Sequence, residues 1–158
     1  PQECAVSVFE ALWAAGQPFG LAHAGYRAID SARLEKGYLY WSGDLSPDYN
    51  PYEAGLGFCV ALDKGPSLGR GALLKVRADG VAGKLVSFTV EGFAPLHGGE
   101  AIVYKDNVIG YASSAGYGHT LRQSTAFGYL PTAMAAGSEI LIEAFGPSYP
   151  ARRGPGCL

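Results

Sequence analysis

Near residues 78–83 the sequence "ADGVAG" separates two kinds of chain, and this change limits the possible folds more than any other feature. Beyond it come "KLVSFTVEG", "GEAIVYKDNVIGYASSAG", "STAFGYLP" and "SEILIEAFG", β-rich runs divided by Gly, Pro, Asn and Ser. Short strands at such spacing favour a small sandwich or barrel, and "VYKDNVIG" reads as a hairpin turning at Lys105 to Asn107. Before the change the apolar residues follow helical spacing instead. One helix is expected over about Glu3–Ala15, with Val8, Leu12 and Ala15 on one face and a stop at Gly16 and Pro18. A second is expected over Ala24–Lys36, stopping at Gly37. The loop "SGDLSPDYNPYEAG" follows, dense in turn residues, with Asp44 and Asp48 as turn formers. "GLGFCVAL", Gly55–Leu62, then reads as a short buried strand, and Arg70–Val76 as a short helix. The expected class is α+β, with one unit over 1–80 and a second, β-rich unit over 81–158.

Residues placed at ~100° intervals around the second helix sort into faces. Arg27, Ser31 and Glu35 form a polar stripe, with Ala28, Ile29 and Ala32 opposite it as the core-facing side. Arg33 belongs to neither. It either pairs with Asp30 three residues earlier, its stem lying over the edge of the core, or points into a cleft toward an anionic or carbonyl-rich ligand. Tyr38, Tyr40 and Trp41 follow at once. Aromatics of this kind either fill core and interface or stack on a flat heterocycle.

Composition excludes several classes. A chain of 158 residues that is 48% hydrophobic and 16% charged can bury a proper core. A formal net charge of −2 argues against a nucleic-acid partner. No apolar run approaches the ~20 residues of a membrane span, so no membrane association is expected. The start lacks the layout of a signal peptide. Cys4, Cys59 and Cys157, and likewise His23, His97 and His119, are too scattered for a metal site, and the cysteines read as plain thiols of a reducing compartment. "GLGFCV" and "GYGHTL" each lack the third glycine of a dinucleotide-binding turn. The chain opens without methionine on a helix start and ends on "ARRGPGCL", which suggests a fragment of something longer.

The motifs themselves carry a resemblance. An Arg-x-x-Asp-Ser-x-Arg-Leu-Glu-x-Gly run is followed by Gly-Asp, then Pro-x-Glu-Ala-Gly-Leu-Gly-Phe, then Leu-Asp-Lys-Gly, all within about fifty residues. This combination, with "VIGYASSAGYGHTLRQSTAFGYLP" in the second half, resembles the folate-dependent aminomethyltransferase family. That family includes the glycine cleavage T-protein and the C-terminal halves of dimethylglycine and sarcosine dehydrogenases. The wording "AGYRAIDS…EKGYLYW" is more similar to the dehydrogenase branch.

The resemblance implies part of a ferredoxin-like aminomethyltransferase subdomain followed by a small C-terminal antiparallel β-barrel. It implies tetrahydrofolate as cofactor, bound at a site only partly present, and FAD in a region upstream. A small N-methyl amine would be the substrate, oxidised at the flavin, with folate capturing the one-carbon unit. The compartment would be the bacterial cytoplasm or the mitochondrial matrix. Of the family's folate-contacting positions, Arg33 matches, with Glu35, Tyr40 and Trp41 as its neighbours. The family's catalytic aspartate and pterin-recognising glutamate have no counterpart in this sequence, so no catalytic residue is assigned and no activity is expected of the chain alone. A stand-alone aminomethyltransferase and a non-catalytic regulatory relative are the alternative parents.

Overall fold

A computed structural model describes residues 1–134 and 138–154. Helices occupy the first half, and six strands follow. A 3-10 turn, Gln2–Cys4, leads into α1 (Ala5–Gly16). Then come α2 (Tyr26–Lys36), a 3-10 turn at Gly57–Cys59, and α3 (Arg70–Asp79). The strands are β1 (Gly83–Val90), β2 (Ala101–Tyr104), β3 (Asn107–Gly118), β4 (Gln123–Pro131), β5 (Ile140–Glu143) and β6 (Ser148–Arg153). They form a closed antiparallel barrel in the order β1-β4-β3-β2-β5-β6, with β6 pairing back onto β1. Closure leaves no edge strand unpaired. The class is α+β, as the change of periodicity predicts.

The β2–β3 turn falls where the sequence places it. Tyr104 pairs with Asn107, and Lys105 and Asp106 between them have φ of +48° and +62°. Two left-handed residues make the turn whose twist matches a hairpin. The second helix stops as expected: Gly37 is left-handed at φ +76°, and its N–H and that of Tyr38 bond back to the last turn.

Inside the barrel Phe88, Ile102, Leu130, Ile140 and Ile142 are fully buried. Two glycines let β3 and β4 approach closely. A Cβ added at Gly110 would lie 2.6 Å from the Tyr129 carbonyl oxygen, and one at Gly128 would lie 2.8 Å from that of Tyr111. Because the obstacle is backbone, the strands must separate to admit a methyl. Gly110→Ala is expected to cost about 1–3 kcal/mol in a urea titration. A loss within about 0.5 kcal/mol, ordinary for a surface change, would mean that the ladder is more pliable than these distances imply.

Three expectations are corrected. Gly55–Leu62 is not a strand. Gly55 is left-handed at φ +79°, and the N–H groups of Leu56, Cys59 and Val60 each close back onto the preceding turn, so no donor row remains to pair with a sheet. Phe58 is 75% exposed as a result. The predicted face of α1 is not a core face: Val8 and Leu12 are exposed, and among the described residues the helix touches no other helix or strand beyond its flanking 3-10 turns, Gln2–Cys4 and Gln17–Phe19. Its aromatics pack locally instead, the His23 ring stacking on Trp13 at 3.8 Å and on Phe9 at 5.8 Å between centroids.

The third correction concerns α2. Ala28, Ile29 and Ala32 are exposed, and Leu34 is the helix's one buried residue. Two residues of the polar stripe face the barrel, while Arg27 is exposed: Ser31 Oγ donates to the Tyr117 carbonyl at 2.8 Å, and the Glu35 carboxylate accepts the Thr120 N–H at 2.8 Å. Leu34 packs with Leu85 and Phe127, with Leu39 and Tyr129 at the margin, as a second small core joining α2 to the barrel. Cys4 and Cys59 are free thiols on the surface; Cys157 lies outside the described residues.

Candidate site around Arg33

Arg33 occupies the last turn of α2, and its guanidinium is turned toward the loop that follows rather than toward open solvent. Nε donates to Asp30 Oδ1 at 2.8 Å. Nη1 donates to Asp44 Oδ2 at 2.7 Å and to the Tyr38 carbonyl at 3.3 Å. Nη2 donates to Ser114 Oγ on β3 at 2.8 Å. The Asp30 pairing of the first sequence reading is present, but Asp30 supplies only one of four acceptors. An arginine carries five N–H donors in a fixed fork. Four are committed, and the fifth, on Nη2, has no partner among the described residues. The guanidinium also lies over the Tyr40 ring, 4.4 Å from its centroid, with the Phe127 ring at 5.8 Å.

Tyr40 and Trp41 form the rim of the same loop. Tyr40 sits at 36% exposure, and its phenol is pushed up in pKa, first by a hydrogen bond with Tyr26, then by burial and the nearby charge of Asp30, against the opposing pull of Arg33. Trp41 is 69% exposed, and the main chain at this position bridges to Leu45. Tyr26, itself exposed, completes an aromatic margin beside the guanidinium.

Glu35 does not join this group. Its carboxylate caps the β3–β4 turn, and that Thr120 N–H is the main reason its pKa lies below the ordinary carboxylate value, outweighing partial desolvation. A lowered folded-state pKa stabilises above the unfolded-state pKa, and the contribution fades as pH falls through the folded-state value. Glu35→Gln is therefore expected to be less stable than the parent at neutral pH and to converge with it in acid. Urea midpoints measured against pH check this; two parallel curves would exclude the carboxylate as the cause.

The residue that sequence reasoning undervalued is Asp44. Asp48 is the turn former expected, bonded with Ser46, but Asp44 is 1% exposed. One carboxylate oxygen accepts from Arg33 and from the Tyr40 N–H, the latter at 3.0 Å. The other accepts from Ser113 Oγ at 2.5 Å, and the Asp44 carbonyl accepts the Tyr129 hydroxyl at 2.9 Å. The Asp44 contacts thus bind α2, the loop, β3 and β4 together. Its Gly-Asp dipeptide was a visible signal, but nothing in its spacing reveals an arginine eleven residues earlier as its partner.

The GCVT N-terminal domain matches residues 1–64, and the glycine cleavage T-protein C-terminal barrel domain matches residues 84–157. The chain belongs to the glycine cleavage T-protein family. Relatives of this T-protein-family chain include the mitochondrial sarcosine dehydrogenase of Mus musculus, 45% identical over 82% of the chain and 14% of that protein. The mitochondrial dimethylglycine dehydrogenase of the same organism is 34% identical over 95% of the chain and 18% of that protein. The chain thus spans less than a fifth of either relative. Among solved structures, the glycine cleavage system aminomethyltransferase T from Bartonella henselae superposes with a TM-score of 0.82 at 28% identity, over 96% of this chain and 42% of that one. Among the described residues, no helix is long and apolar enough to cross a membrane.

Proposed function

We propose that this chain is the C-terminal part of a flavin- and tetrahydrofolate-dependent dehydrogenase of N-methyl amines of the sarcosine or dimethylglycine type, and forms one wall of its folate-binding one-carbon module. The observation that carries the reading is the 45% identity to a sarcosine dehydrogenase over most of the chain, against 41% to an aminomethyltransferase over a similar stretch. The residues present fit a folate. Exposed Tyr40 and Trp41 offer faces to a flat heterocycle, and Arg33 has one N–H left for a carbonyl or carboxylate oxygen. That single donor makes Arg33 an orienting contact, not a two-pronged clamp. Bound folate would supply the nitrogens that capture the one-carbon unit. This wall contributes positioning.

On this reading residues 1–80 complete the folate domain, residues 81–158 are the barrel, and Glu35 supports the wall indirectly through the Thr120 turn. The location follows the parent: the mitochondrial matrix in a eukaryote, the cytoplasm in a bacterium. A stand-alone aminomethyltransferase is the second reading, favoured by the close superposition on the Bartonella enzyme. Native protein captured with an antibody to this chain separates the two. The expected result is a bound flavin whose visible absorbance is bleached by sarcosine or dimethylglycine. A captured polypeptide without flavin would overturn the dehydrogenase reading in favour of the transferase.

A further inference from the structure

One oxygen of the buried Asp44 carboxylate holds two of the groups just assigned to the folate wall. Asp44 Oδ2 accepts from Arg33 Nη1 at 2.7 Å and from the Tyr40 N–H at 3.0 Å, while the Tyr40 ring lies against the face of the same guanidinium. Whatever moves that oxygen moves both groups together. Asp44 has no exposed side-chain surface, whereas Asp30, the other carboxylate on Arg33, is 36% exposed. Water screens Asp30 and leaves Asp44 as the stronger electrostatic anchor. Asp44 is in turn fixed from behind: Ser113 Oγ on β3 holds its second oxygen, and the Tyr129 hydroxyl on β4 holds its carbonyl.

We propose that Asp44 is a positioning residue of the folate site: it transfers the geometry of the barrel to Arg33 and Tyr40, aiming the one uncommitted Arg33 N–H and setting the tilt of the Tyr40 ring. This rests on the folate reading above. It also gives the barrel a part in ligand binding, because the guanidinium is registered on β3 through Ser114 directly and through Asp44 and Ser113 indirectly. A direct ligand would act through its own contact. Asp44 acts through the direction of another residue's donor, and small errors of direction are costly where a cofactor must be held in one orientation.

The test is nuclear magnetic resonance on the 15N-labelled protein with Asp44→Asn, which keeps the side chain's shape and removes its charge. The Arg33 Nη1–H signals, one of them from the proton bonded to Asp44, should shift and exchange with water at least about tenfold faster. In the full-length parent, which holds the rest of the cleft, the dissociation constant for tetrahydrofolate should rise at least about tenfold, while in this chain the barrel's backbone signals stay unmoved. Ser113→Ala leaves the ion pair and loosens the carboxylate from behind; it should produce a smaller shift in the same direction and serves if Asp44→Asn fails to fold. An Arg33 signal that neither variant moves overturns the positioning role. Failure of the unmodified full-length parent to bind tetrahydrofolate overturns the folate reading instead, so the two failures are distinct.

Discussion

Replacing Phe127 by alanine is expected to lower folding stability by about 3–5 kcal/mol, the range for emptying an aromatic side chain out of a packed interior. Phe127 is 1% exposed and stands at the middle of the small core that joins α2 to the barrel. Leu34 comes from the helix, Leu85 from β1, and Leu39 and Tyr129 close the margin. The neighbours are fixed by strand pairing, Phe127 itself lying opposite both Ser87 and Ser114, so collapse into the cavity is restricted. Phe88→Ala in the main barrel core should cost a similar amount, since Phe88 is also fully buried. The two differ in what they loosen. Loss of Phe127 removes the ring against which both Leu34 and the Arg33 guanidinium lie, so α2 should lose amide-exchange protection well before the strands. Loss of Phe88 should lower protection in the strands and the helix alike. Denaturant titrations with exchange measurements on both variants decide it. A Phe127→Ala cost below about 1.5 kcal/mol, or protection lost evenly over helix and barrel, would mean that α2 is not held by this core.

How much the sequence disclosed follows from which signals are local. The β-rich runs after residue 83 and the two-residue turn at Lys105 and Asp106 depend on neighbouring residues, and they were readable. So was the stop at Gly37, where the left-handed conformation suits glycine. The strand read over Gly55–Leu62 failed because a short apolar run does not specify its partner, and here the backbone donors are used in successive turns. The faces of α2 failed for a related reason. Periodicity separates an apolar stripe from a polar one, but the ends of strands offer unpaired carbonyls and N–H groups that suit polar side chains. Ser31 on the Tyr117 carbonyl and Glu35 on the Thr120 N–H are such contacts. In the candidate site, Arg33 and Tyr40 do meet and Trp41 lies on their rim, while Glu35 belongs to another turn. Asp44 was hidden because its role requires β3 and β4 to be in place before its environment exists.

Arg33→Met is expected to cost about 3–5 kcal/mol, more than methionine's apolar stem can recover, because it leaves the Asp44 charge buried without its counterion. Asp30 is partly solvated and should contribute little to that loss. The source of the cost can be isolated by adding Asp44→Asn. If the stranded charge dominates, the double variant should be more stable than Arg33→Met alone by about 1–3 kcal/mol, since a neutral amide tolerates the same pocket far better than a carboxylate does. The coupling between the two positions then measures the pair rather than the packing around it. Folate binding by the full-length parent separates the roles: both variants lack the Arg33 donor, so affinity for tetrahydrofolate should stay at least about tenfold weakened even where stability returns. A double variant no more stable than Arg33→Met would show that the arginine acts chiefly by its stem and its stacking on Tyr40. Full affinity in the restored protein would remove Arg33 from the folate wall altogether.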